Sequence, residues 1–491
     1  MPRPAPTVAL VERDAGDRPF HSPARWAGCP ASGLDTHGYR VDEYLVAGAA
    51  HWYVHSPEAG GAVIDLEHPE PMRYQTRAYV VRPRDPGRFS GNVIVEQLNP
   101  SMRVDFSMLW SDVGRLAMAD GDICVAFTYK KVAADSLRLL DPDRYGGLDI
   151  PSDRVGWDLF RDVLEVSRAA SGVSVLGEDL ASAANVIVSG GSQAGGFVHS
   201  FIAEGLHEPA DGERRHPTAD GYLINVSSGE FGLMGFIPLH LDGEMTPSPE
   251  GISDFFASHQ CPLDDPRRIS RGLEVPVVQW LSETEALQDW WVARPDSDRS
   301  GDLYRCYQVP GRGHGAGLLP LEGLQADAAA LRSAGIPTSL AGFRPPASHP
   351  ESAYLLSALL SGMCRWRHEG TPLPRVARIE MEAASYVRRD AVGWHMRGLA
   401  PRADDLGHSL GGVRYPTIDY ALARMYEEPG AAITPMWHRE PMSRDEVARR
   451  YGSAGRWLIL ALSSLDDAIA RGMIRADHAE AFAEFLWTCR P

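Results

Sequence analysis

The feature that most constrains this chain is a short apolar run that stops in glycines. Asn185–Ser189 (NVIVS) leads into Gly190-Gly191-Ser192-Gln193-Ala194-Gly195-Gly196, and a stretch of small and apolar residues follows, over about Ala194–Leu206. Such a run is typical of a strand buried on both faces, and the residues after the glycines have helical spacing. A strand that turns at once into a helix around a serine needs small neighbours two positions either side of it. Gly190 and Ala194 occupy those positions. The alternative is a glycine-rich turn with a capping serine, or a phosphate loop. No lysine follows the glycines as in a Walker loop, and the spacing is not GxGxxG.

Further runs of strand character are spread along the chain. They are Tyr39–Val54 (one or two strands), Thr76–Arg82, Asn92–Gln97, Asp122–Tyr129, Gly221–Val226, Pro276–Leu281 and Leu303–Val309. Apolar residues at helical spacing fall between them in Asp105–Ala119 and Asp153–Ala170. This alternation predicts a mostly parallel, doubly wound α/β sheet of about eight strands within residues 1–344. Two segments break the pattern. Gly229–Leu273 is proline-rich with aromatic clusters, and its length suits a lid insertion. Residues 345–491 carry helical stretches at Tyr354–Arg367 and Gly455–Arg471 and read as a mainly helical extension packed on the core.

A serine in such a turn becomes nucleophilic only beside a base. The strand–serine–helix turn resembles that of α/β-hydrolases, and the resemblance implies that the acid and then the histidine follow the serine in chain order. After the last strand-like run comes Gly311-Arg312-Gly313-His314, which makes His314 the candidate base among 17 histidines. The preceding run ends in Ser282-Glu283-Thr284-Glu285. Either carboxylate could orient the imidazole; Glu285 has the more usual offset and Glu283 is the alternative. The Gln193 amide, at the start of the helix, is one candidate oxyanion donor. The other should come from Leu98-Asn99-Pro100-Ser101, where Pro100 has no N–H, leaving Asn99 or Ser101.

These pieces resemble the α/β-hydrolase superfamily. More narrowly, the chain is similar to a bacterial family of α/β-hydrolase domain-containing proteins. The resembling stretches are VEQLNP, DPDRYGGLDIP, GGSQAGG, WLSETE, PDSDR, VPGRGH and GGVRYPTIDY, which span most of the sequence. The resemblance implies an α/β-hydrolase fold, Ser192 as nucleophile, His314 as base and a glutamate of WLSETE as acid. Relatives commonly continue the histidine with Ala-Asp, whereas this chain has Gly-Ala-Gly.

Charge and composition narrow the partners. The net charge of −17 argues against a nucleic-acid partner, because phosphate binding needs a basic face, and gives no support for an anionic membrane surface. No run approaches the length of a membrane helix, and Met1–Arg18 lacks the apolar core of a signal peptide, so a cytoplasmic location is expected. Six scattered cysteines without a CxxC pair argue against a zinc site or disulfide framework. The expectation is a carboxylic ester hydrolase that works through an acyl-enzyme on an apolar small-molecule ester, bulky ones included, with no cofactor or metal. Acyl transfer from the same intermediate and a non-catalytic binding role are the rivals. Trp280, Trp290, Trp291, Phe231, Phe236, Phe255 and Phe256 either line an apolar pocket or belong to the core. The oligomeric state cannot be read from the sequence.

Overall fold

The computed structural model describes residues 3–11, 31–100, 103, 105–168, 172–208, 219–227, 266–286, 294–314, 329–336, 350–383, 399–427 and 437–491. Most of the expected lid, Gly229–Leu273, lies outside the described residues.

Two strand pairs lie in the C-terminal part, Met381–Ala383 with Leu399–Pro401 and Ala423–Glu427 with Trp437–Pro441. Before them, in chain order, the strands are β1 (Thr7–Leu10), β2 (Tyr39–Ala50), β3 (Tyr53–Ser56), β4 (Gly61–Ile64), β5 (Met72–Pro83), β6 (Asn92–Gln97), β7 (Ile123–Phe127), β8 (Asn185–Gly191), β9 (Gly221–Asn225), β10 (Val277–Ser282), β11 (Ser297–Arg299) and β12 (Asp302–Val309). All but β3 and β4, which pair as a separate hairpin, form a ten-stranded sheet of order β1-β2-β5-β7-β6-β8-β9-β10-β12-β11. The six strands from β7 to β12 are parallel, and the flanking strands are antiparallel. The expected eight strands become ten through β1 and β11. These edge strands have four and three residues, largely exposed, so no buried pattern marks them.

Both faces of the sheet are covered, which accounts for the unbroken apolar runs. Along β6, Val93 and Val95 join one buried cluster and Ile94 the other. The first cluster holds Leu159, Phe160 and Val163 of α2 (Gly156–Arg168) and Phe197 and Phe201 of α3 (Gln193–Ala203). The second holds Val113 of α1 (Trp110–Asp120) and residues of α4 (Glu351–Glu369), α5 (Ala454–Ala470) and α6 (Ala479–Cys489). Leu355, Leu359, Met363, Trp457 and Phe482 thus share one core with the sheet residues Ile94, Cys124 and Ile187. Each such side chain contributes about 1.5–3 kcal/mol when fully buried. The C-terminal helices therefore cannot leave the sheet without exposing a large apolar surface. Among the described residues, no helix is long and apolar enough to cross a membrane.

Helix α1 starts five residues later than its apolar spacing predicts, and the cause is tertiary. The buried Glu96 carboxylate at the end of β6 accepts from Ser107 Oγ (2.6 Å) and from the backbone N–H groups of Met108, Leu109 and Trp110 (2.7, 2.7 and 3.0 Å). These are donors that a helix N-terminus leaves unpaired, so Glu96 caps the helix from a neighbouring strand. Asp105 and Phe106 belong instead to the connection, where Phe106 forms a bridge with Asn99.

At the opposite ends of these strands, Asp122 precedes β7 and accepts from Ser90 Oγ (2.7 Å) and Asn92 Nδ2 (3.1 Å). Burial pushes its carboxyl up to about 6 in spite of those bonds; Asp120 adds to the rise and Arg475 opposes it. A raised native value means that folding favours the protonated acid. That contribution is full below the ordinary carboxylate range and is lost as the pH rises through about 6. Asp122→Asn is therefore expected to stabilise the protein by roughly 1–3 kcal/mol at pH 8 and by almost nothing near pH 4. Denaturant unfolding at the two pH values checks this; equal stability of variant and parent at pH 8 would count against it.

Candidate active site

The residues of the strand–serine–helix turn are held by close packing. Ser192, between β8 and α3, has φ 55° and ψ −123°, a conformation that an L-residue keeps only when its surroundings impose it. Its N–H donates to the Asn225 carbonyl (3.0 Å), and its own carbonyl accepts from Gly196 N–H (2.9 Å). A Cβ on Gly190 would lie 2.4 Å from the Ala194 carbonyl oxygen, and one on Gly195 would lie 2.8 Å from the carbonyl oxygens of Asn225 and Gly190. The backbone leaves no room for a side chain at either glycine.

Ser192, His314 and Glu285 form one hydrogen-bonded chain. Ser192 Oγ is 2.8 Å from His314 Nε2, and His314 Nδ1 is 2.6 Å from Glu285 Oε1. Glu285 belongs to the single helical turn Glu283–Ala286 that follows β10. Its other oxygen accepts from Ser282 N–H (2.8 Å) and Ser282 Oγ–H (2.6 Å). Burial acts to raise the Glu285 carboxyl, but the neighbouring imidazole and the bonds from His314 and Ser282 outweigh it and hold the group below its ordinary value. An ionised Glu285 can only accept, so His314 carries its proton on Nδ1 and presents Nε2 as acceptor to the serine hydroxyl. Ser192 is 8% exposed and Glu285 1%, which leaves little water to compete with the chain. Such an arrangement can withdraw a proton from Oγ while a buried carboxylate balances the imidazolium.

The fold is that of a known family. A sequence profile of the alpha/beta hydrolase domain matches residues 3–484. The chain belongs to the alpha/beta hydrolase domain family. No curated protein matches the sequence. Solved structures with a similar chain course include a fungal esterase from Rhizomucor miehei, at 11% identity over 66% of this chain and 85% of that one, with a TM-score of 0.27. A thermostable esterase from Pseudomonas putida gives 16%, 65%, 91% and 0.31 for the same quantities. Esterase 2 of Thermogutta terrifontis gives 12%, 61%, 92% and 0.28. Within this hydrolase family fold, the β8–α3 turn, the turn after β10 and the loop after β12 carry the three residues of the chain described above.

The other candidates are distributed differently. Glu283 does not meet His314: its carboxylate accepts from Gly311 N–H (2.5 Å) and Ser409 Oγ–H (2.6 Å). The expectation that Asn99 offers its amide to the site needs correction. Its backbone N–H donates to the Phe106 carbonyl (2.7 Å), and its side-chain amide donates to the Gly191 carbonyl (3.0 Å) and approaches Met108 Sδ (3.3 Å). Asn99 thus ties the loop after β6 to the end of β8. Ser101 lies outside the described residues. Gln193 opens α3, where a backbone N–H has no partner within the helix. Trp280 is a core residue, fully buried beneath the Arg312 guanidinium at 4.1 Å; the other six aromatic candidates lie outside the described residues.

Two groups among the described residues have carboxylate and histidine atoms close enough to suggest a cation site, Asp65-Glu67-His68 and Asp120-Asp477-His478. In the first, Asp65 already accepts from Glu67 N–H and pairs with His68. In the second, the Arg475 guanidinium bridges Asp120 and Asp477 and supplies the positive charge. Sequence reasoning overlooked the anchors Glu96, Arg312 and Ser409. The first two lay inside stretches already singled out, VEQLNP and VPGRGH. Ser409 stands just before GGVRYPTIDY, a stretch that carried a resemblance but no assigned task.

Proposed function

We propose that the protein is a serine carboxylic ester hydrolase. The observation that carries this reading is the continuous chain from Ser192 Oγ through His314 to Glu285 at a strained strand–helix turn. In the proposed reaction His314 Nε2 takes the Ser192 proton as Oγ attacks the acyl carbon. The tetrahedral oxyanion faces the Gln193 N–H at the head of α3, where the helix dipole adds to its stabilisation. His314 then returns the proton to the departing alkoxide, which leaves as an alcohol. Water attacks the acyl-enzyme, gives its proton to His314, and the carboxylic acid leaves with Ser192 reprotonated. The substrate class is an apolar small-molecule carboxylic ester. Acyl transfer would need the acyl-enzyme shielded from water, and most of the segment expected to shield it, Gly229–Leu273, lies outside the described residues.

Fluorophosphonate treatment followed by intact-mass measurement tests the reading. One adduct is expected on the wild type and none on Ser192→Ala. An unlabelled wild type, or an adduct that persists in Ser192→Ala, would defeat it. With an ester and a competing alcohol present, a hydrolysis-only product mixture separates the proposal from acyl transfer.

A further inference from the structure

His314 reaches its place through the loop Pro310-Gly311-Arg312-Gly313, which offers few side chains to hold it. Gly311 has φ +68°, a left-handed conformation that suits glycine and gives it much freedom. Something outside the loop must therefore fix the imidazole. The turn Glu283–Ala286 does so at successive points. Glu283 Oε2 accepts from Gly311 N–H (2.5 Å), Glu283 N–H donates to the Arg312 carbonyl (2.9 Å), and Thr284 Oγ1 accepts from His314 N–H (3.2 Å). The Arg312 side chain extends the hold outward, to Asp112 of α1 (3.0 Å) and Ser352 of α4.

The turn is itself braced from the C-terminal region. Glu283 Oε1 accepts from Ser409 Oγ–H (2.6 Å), across 126 residues of sequence. Ser409 is fully buried, and Glu283 is 1% exposed. The segment that bears Ser409 lies along the end of β12. Val413 N–H donates to the Gln308 carbonyl (2.7 Å), and a Cβ on Gly412 would come within 2.6 Å of the same oxygen. Arg414 donates to the Ser409 carbonyl (2.5 Å), which fixes the serine from its other side. A buried carboxylate is an expensive way to join two segments, because an apolar pair could do so without desolvating a charge. What the carboxylate adds is direction: one oxygen defines where Gly311 N–H sits, and the other is itself defined by Ser409.

We infer that Ser409, acting through Glu283, is a positioning residue for His314, so that the C-terminal region completes the active site. This rests on the serine hydrolase reading above. Without the Ser409 hydroxyl, Glu283 Oε1 loses that donor and the carboxylate is held less firmly. Gly311 then shifts, and with it the alignment of Nε2 on Ser192 Oγ. The step that suffers is proton withdrawal from Ser192, not the binding of substrate.

The test is the kinetics of fluorophosphonate labelling in the full chain. Ser409→Ala is expected to lower the limiting inactivation rate by about 10- to 100-fold, as support-residue losses do, with the half-saturating probe concentration unchanged. A wild-type limiting rate in Ser409→Ala would overturn the inference, and so would a loss only in proportion to the unfolded fraction seen in thermal melts. If Ser409→Ala does not accumulate as folded protein, Glu283→Asp decides, since its shorter side chain cannot span both Gly311 and Ser409. The same loss of limiting rate supports the inference, and a wild-type rate defeats it. The outcomes stay separable: an unlabelled wild type removes the serine hydrolase reading itself, whereas rapid labelling of Ser409→Ala removes only the positioning role.

Discussion

Replacing His314 with alanine is expected to lower kcat/KM for an activated ester by about 10⁴- to 10⁶-fold. The size follows from the geometry. Ser192 Oγ has its hydroxyl against a single base, Nε2 at 2.8 Å, and a serine hydroxyl is a poor nucleophile at neutral pH without one. Ser192→Ala is expected to fall by a similar factor. The double variant should be scarcely worse than either single one, because the two groups act in the same step. Steady-state hydrolysis of a nitrophenyl ester by the parent and the three variants measures this, with thermal melts to show that folding is intact. Two outcomes would contradict the mechanism: more than a tenth of the parental rate in His314→Ala, or single losses that multiply in the double variant.

What could be read from the sequence depended on where the controlling contacts lie. The strand and turn around Ser192 were legible because their physics is local: an apolar run, then glycines where a Cβ would strike backbone. His314 was legible by its place after the last long strand. The edge strands β1 and β11 were not, because short exposed segments carry no burial pattern. The start of α1 was misread because the residues with helical spacing before Trp110 are capped by Glu96 of β6 and bridged by Asn99 of the loop after it. The Asn99 amide could not be assigned, since its use depends on the pairing with Phe106 within a loop. Ser409 was out of reach for the plainest reason, because nothing near it in sequence reveals that it will stand against Glu283.

The choice between Glu283 and Glu285 rested in the sequence only on the offset from the strand, which favours Glu285, and it yields the second large expected effect. The two glutamates lie two positions apart on one helical turn, so they point in different directions. Glu285 reaches the imidazole, while Glu283 reaches a backbone amide and a distant hydroxyl. In Glu285→Gln the side-chain oxygen has only one satisfactory place. Ser282 N–H and Oγ–H both donate to the Oε2 position, so the amide oxygen must lie there and the NH₂ must face His314 Nδ1. That NH₂ turns Nδ1 into an acceptor and moves the ring proton to Nε2, where it blocks uptake of the Ser192 proton. A loss of about 10³- to 10⁴-fold in kcat/KM is expected, with little change in KM. Glu283→Gln leaves the tautomer alone and should stay within the about 10- to 100-fold range of a support residue. The pH dependence adds an independent check. Because its native value is depressed, Glu285 contributes to stability above the ordinary carboxylate range, and that contribution is lost only as the pH falls through the lowered value. Glu285 therefore stays ionised through the ordinary carboxylate range, and no loss of kcat/KM from its protonation is expected above that range. A pH profile of kcat/KM in which Glu285 protonation is already felt above the ordinary carboxylate range would contradict this, and a small loss in Glu285→Gln would mean that the imidazole is oriented by some other group.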